Sequence, residues 1–192
     1  MSVRSWVEVL EFWFGAADSP EFGRNRKRWF EKSAEFDALL RERFLATHDA
    51  AAAGQLDGWT ERPLAALALV VALDQFPRNM FRGTPRAFAT DPQALAAARG
   101  LVAHGFDAAL LPVQRTFAYL PFEHAEDRDA QRESLRLFDR LARETACVDV
   151  TYAMLHYAIV DRFGRFPHRN AILGRESTAA ELAFLAEPGS SF

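Results

Sequence analysis

Apolar residues recur along this chain with the spacing of a helix face, and that repeat limits what it can fold into. Trp6, Leu10, Trp13 and Phe14 form one stripe, with Gly15 placed to end it. Trp29, Phe36, Leu40, Phe44 and His48 form a second, closed by Gly54. Further helices are predicted at 63–75, opened by Thr60 and Pro63, and from Asp91-Pro92 to Gly105. Another is predicted at 112–120, stopped by Pro121, and more at 127–143, 150–163 and 178–185. Nowhere does a sustained period-two alternation of β-branched residues appear. The expectation is an all-α fold. With no low-complexity linker, the 192 residues read as one domain of antiparallel helix pairs.

Composition narrows the function classes. A net charge of −3 offers no basic field for nucleic acid, so no nucleic-acid partner is expected. The longest apolar run, 64–73, is about half of the roughly 20 residues that a membrane helix needs. One cysteine, Cys147, leaves no intrachain disulfide, and the N-terminus lacks the pattern of a signal peptide; a cytoplasmic location is the expectation. Cys147 itself, flanked by apolar residues, reads as a packed thiol. Positive charge is almost entirely arginine, since Lys27 and Lys32 are the only lysines. Arginine forks suit planar contacts to carboxylates and phosphates.

Two stretches concentrate these donors. DQFPRNMFRG at 74–83 and DRFGRFPHRNAILG at 161–174 each follow an apolar helix. Each carries an Asp, a Phe-Pro pair, an Arg-Asn pair and a closing Gly. They suggest a duplicated helix-loop-helix unit at 60–104 and 149–187, with both Phe-Pro segments as ordered loops after a proline stop. Coincidence of helix-ending chemistry is the other account. Both Asp74 and Asp161 follow apolar faces and are expected to be buried against arginines, Arg78 and Arg165 being the natural partners.

LDQFPRNMFRGTPRAFATD, YLPFEHAED and RFGRFPHRNAILGRESTAAELAFL resemble the signature blocks of domain-of-unknown-function family 924. VLEFWFG, RWFEKSAEFD and the closing LAEPGSSF are similar to it as well, so the resemblance covers almost the whole chain. It implies a bacterial protein with a compact, tetratricopeptide-like helical fold. It implies no activity.

The candidate site is therefore read from residues. Arg78, Asn79, Arg82, His168, Arg169, Asn170 and Arg175 fall in predicted loops and outnumber the nearby Asp partners. They either cap helix ends or bind an anion, and both readings stay open. Glu123 and His124, in PFEHAED, crowd a predicted helix start and supply a candidate acid–base pair. No HExxH, CxxC, GxSxG or phosphate-loop motif occurs, so no metal and no cofactor are expected. His124, His156 and His168 meeting in space is the residual metal route. Trp13, Phe14, Trp29 and Phe30 are read as core.

Two functions follow. One is a binding module for an anionic small molecule or peptide carboxylate, using Arg78, Asn79, Arg82, Glu123, His124, His168, Arg169 and Asn170. The alternative is a small-molecule enzyme in which His124 and Glu123 perform acid–base chemistry on an anionic substrate. Arg78, Asn79, Glu123, His124, His168, Arg169 and Asn170 are expected to line one shared concavity.

Overall fold

The structure, a computed structural model, describes residues 2–29, 31–145 and 149–190. Cys147 and Phe30, both assigned to the core from the sequence, lie outside the described residues. The helices are α1 (Trp6–Phe14), α2 (Ala34–Ala52), α3 (Pro63–Val70), α4 (Phe76–Met80), α5 (Asp91–Ala103), α6 (Pro112–His124), α7 (Arg128–Thr145), α8 (Thr151–Phe163) and α9 (Ala179–Leu185). No strand occurs among the described residues, so the all-α reading holds.

Helix starts follow local chemistry. Ser5 closes a reciprocal capping box with Glu8, and Thr178 does the same with Glu181. The Asp127 carboxylate accepts from the Ala130 N–H at 2.7 Å and so opens α7. Thr60 does not cap α3 as expected: its hydroxyl donates to the Asp57 carbonyl, and Arg62 stands at the cap position.

One apolar core gathers Trp13, Leu40, Phe44, Leu67, Phe76, Phe117 and Phe122, all buried. The α6–α7 and α7–α8 faces pack directly, as do α3 with α5 and α2 with α4. A smaller cluster, Ile159, Val160 and Phe166, lies under α8, with Phe163 and Phe184 packed against it.

Two prolines do not stop helices where the sequence predicts. Pro121 sits inside α6, which runs on to His124. It carries Phe122 and Glu123 into the interior, at 2% and 4% exposure, and burial of Phe122 offsets the lost backbone bond.

Pro77 is accommodated differently. A π-helical turn, Val71–Gln75, joins α3 to α4, so Phe76-Pro77-Arg78-Asn79 is helical rather than a loop. In that turn the Phe76 N–H reaches the Val71 carbonyl, one residue further back than an α-helix would use. The Ala72 carbonyl is taken instead by His48 Nδ1 at 3.0 Å. Pro77 has no N–H for the Leu73 carbonyl, which accepts from the Thr90 hydroxyl at 2.6 Å. The next two carbonyls, Asp74 and Gln75, accept from the Arg78 and Asn79 side chains at 2.8 and 3.0 Å. Four consecutive backbone acceptors thus carry side-chain donors. This arrangement keeps a buried helix running through a proline and holds the Asp74 carboxylate in the interior.

Candidate functional site

Asp74 is the centre of a polar cluster. Its carboxylate, fully buried, contacts His124 Nδ1 at 2.8 Å and Arg78 at 3.1 Å, and accepts from Gln75 at 2.6 Å. Burial alone would raise this carboxyl. Arg78, His124 and Gln75 more than reverse that and hold it well below the usual carboxylate range. Arg78 then forks onto Asp91, at the first turn of α5, with bonds of 2.8 and 3.0 Å. From the far side Arg169, in the 3-10 turn Pro167–Arg169, reaches the same Asp91 at 3.3 Å. The two Arg-Asn pairs of the sequence therefore deliver their arginines to one carboxylate.

The two arginines are not equivalent. Arg78 has carboxylate partners on two sides and a carbonyl. Arg169 lies between Phe88 and Phe166, its guanidinium 4.7 and 4.5 Å from the ring centres. It is 5% exposed; among the described residues its guanidinium makes one hydrogen bond, the long contact to Asp91, and its Nε is buried with no partner. Burial and the nearby Arg78 charge bring it down to about 10.

Glu123 and His124 occupy the last turn of α6, not a helix start; of the PFEHAED acids only Asp127 opens a helix. Burial, then the Asp74 charge, pushes Glu123 up to about 8, so it is neutral at pH 7. Its Oε1 lies 3.3 Å from His156 Nδ1, which also contacts the Tyr152 carbonyl at 2.8 Å. Burial brings His156 down to about 3, so this contact joins two neutral groups. Burial and Arg78 also lower His124, against the pull of Asp74. With Nδ1–H donated to Asp74, its basic nitrogen is Nε2, on a ring 15% exposed. The His124 and His156 rings are 6.2 Å apart, and Phe166 stands between His156 and His168. Among the described residues no group of three His, Cys, Asp or Glu is placed to hold a metal ion.

The other candidates lie apart. Asn79 and Arg82 bond to each other at 3.0 Å, and Arg82 forks onto Asp37 of α2. Both line an open groove of about 520 Å³ along α2, with Asp37 and Arg41. Asn170 accepts from Arg175, which forks onto Glu126 at 2.5 and 2.9 Å. Apart from Arg169, the predicted surplus of arginines is taken up because Asp37, Asp91 and Glu126, distant in sequence, supply partners. The segments are also not exposed loops: Asn79, Arg169 and Asn170 are all buried.

Asp161 corrects another expectation. Its side chain is 53% exposed, 3.9 Å from Arg128. Arg165 pairs instead with Glu181, at 2.7 and 2.8 Å. The sequence reading missed Asp91 as the shared acceptor and Phe88 and Phe166 as the walls around Arg169. Asp91 was legible only as a helix start, since nothing local marks which distant arginines will reach it.

The family model for "Bacterial protein of unknown function (DUF924)" matches residues 9–189. A solved structure of a protein of unknown function from Agrobacterium tumefaciens is 42% identical. It aligns over 94% of this chain and 96% of its own with a TM-score of 0.82. No curated protein matches.

Proposed function

The chain belongs to the bacterial family DUF924, and from that premise we propose that it binds a small anion, a carboxylate or phosphate, at Arg169. The observation that carries this reading is the guanidinium itself. It is buried between two phenyl rings with one long ion pair and an Nε without a partner. A buried cation so little used is costly unless something else engages it. Asp91 touches this guanidinium, and Arg78 and His124, like Asp91 less than a fifth exposed, are the neighbouring groups that a carboxylate of a small molecule or peptide end would meet. The consecutive packing of α5, α6, α7 and α8 supports the tetratricopeptide-like reading of the scaffold.

Thermal unfolding with sodium acetate or sodium phosphate, against sodium chloride at equal ionic strength, tests this. The melting temperature is expected to rise with one of the first two, and the rise to vanish in Arg169→Met, which keeps the apolar stem between the rings. Equal shifts in chloride defeat the reading.

A second reading rests on the Asp74–His124 contact. A buried carboxylate that holds the Nδ1–H tautomer is the arrangement that makes Nε2 a general base. This is the acid–base alternative, with His124 as the proton acceptor and the protonated Glu123 as the companion acid. Loss of turnover in His124→Gln, on an anionic substrate that raises the melting temperature, would support it; unchanged turnover would remove it.

A further inference from the structure

The charges around Arg169 nearly cancel. Asp74, Asp91 and Glu126 oppose Arg78, Arg169 and Arg175. The other titratable groups facing His124 are Glu123 on its own helix, His156 on α8 and His168 beside Arg169. All three are neutral at pH 7, with midpoints at about 8, about 3 and about 4. A monoanion arriving at Arg169 leaves this closed set one negative charge in excess. It lies close to Asp91, where the low local dielectric makes like-charge repulsion strong. His124 is the group able to restore the balance. Its Nδ1–H is fixed on Asp74, its Nε2 is basic, and its ring, 15% exposed, lies within reach of the Arg78 and Asp91 charges.

We infer that the site takes up an anion and a proton together, the anion on Arg169 and the proton on His124 Nε2. Its ligand class is then a monobasic carboxylic acid rather than a doubly charged phosphate. The inference rests on the binding reading above. In the step itself the O–H bond of the acid breaks, an N–H bond forms at Nε2, and the electron pair stays on the carboxylate. No oxidant or further reactant is involved. Asp74 acts as the positioning residue: it fixes the tautomer and stabilises the imidazolium once formed. Until the anion arrives, burial and Arg78 keep His124 unprotonated.

The experiment is an NMR titration of the His124 ring in the intact protein, in sodium acetate and in sodium chloride at equal ionic strength. The Arg169 Nε–Hε resonance reports binding independently. Acetate is expected to perturb Arg169 and to raise the His124 midpoint by about one pH unit. That corresponds to an affinity about tenfold lower above both midpoints than below them. In His124→Gln, acetate binding is expected to lose its pH dependence. Perturbation of Arg169 with an unmoved His124 midpoint overturns the proton uptake and leaves the binding reading standing. No perturbation of Arg169 by acetate or by inorganic phosphate removes the binding reading as well. Tighter binding of phosphate than of acetate at pH 8 overturns the monobasic class.

Discussion

The two Phe-Pro-Arg-Asn segments share their words and differ in almost everything else. In the first, the π-helical turn carries the chain through Pro77 without leaving the helix, and Asp74 ends fully buried beneath it. In the second, α8 stops at Gly164, in the left-handed conformation at φ 72°, and Phe166-Pro167 turns back toward α5. Asp161 is then left on an exposed surface. Arg78 is saturated by acids on both sides, while Arg169 holds one long contact to the same Asp91. The same residues thus make a structural ion pair in one place and an under-used buried cation in the other. What separates them is which side-chain donors were available to the helix's freed carbonyls. We propose a common origin for residues 60–104 and 149–187, supported by the convergence of the two arginines and by left-handed glycines at Gly83 and Gly174. Superposition of the two units in further family structures, with helix order and hand compared, tests it.

Four measurements break or sharpen this contrast. The largest effect is expected at the two aspartates. Asp74→Ala leaves Arg78 without its buried partner and is expected to cost about 3–5 kcal/mol in urea denaturation. Asp161→Ala, at an exposed site, is expected to stay within ~0.5 kcal/mol. Similar losses from both would erase the contrast.

The second concerns Glu123, the residue before His124 of the Asp74 cluster. Its midpoint of about 8 in the folded protein stands above the ordinary 4.5, so the native state keeps a proton that the unfolded chain releases. The stability tied to that proton is full below about pH 4.5 and is lost as pH rises toward 8. Glu123→Gln is expected to remove this slope and to gain roughly 2–4 kcal/mol at pH 8.5, with little change at pH 4.5. A parallel pH profile for the variant and the wild type would show that Glu123 ionises normally.

The third addresses the π-helical turn. Thr90→Val leaves the Leu73 carbonyl without its donor and is expected to cost about 1–3 kcal/mol. If the loss is negligible, that carbonyl is satisfied otherwise and the explanation of how Pro77 is tolerated fails.

The smallest effect is expected from Arg169→Met, roughly 1 kcal/mol or less in either direction. It removes a poorly compensated charge and keeps the packing against Phe88 and Phe166. A loss as large as that of Asp74→Ala would place Arg169 among the structural ion pairs and remove the case for a ligand.

Most helix faces were legible in the sequence because their 3.6-residue apolar repeat is local and long. Trp13, Leu40 and Phe44 are buried where that repeat puts them. Proline was the unreliable signal. At Pro77 and Pro121 a local rule, that proline ends a helix, lost to tertiary partners and core burial that no local window contains. Of the candidate site, Arg78, His124 and Arg169 were named and do converge, through Asp74 and Asp91. Asn79, Arg82 and Asn170 were named on the same grounds and point elsewhere.

The sequence by itself determined the all-α class, the helix faces and the types of donor and acid gathered near the two Phe-Pro segments. Periodicity and residue chemistry are properties of neighbours along the chain. Tertiary structure alone decided which acid meets which arginine. The partners of Arg82, Arg169 and Arg175 stand 45, 78 and 49 positions away. Only tertiary packing, that of α2, α5 and α6 around the π-helical turn included, leaves Asp74 saturated, Asp161 in solvent and Arg169 with donors to spare.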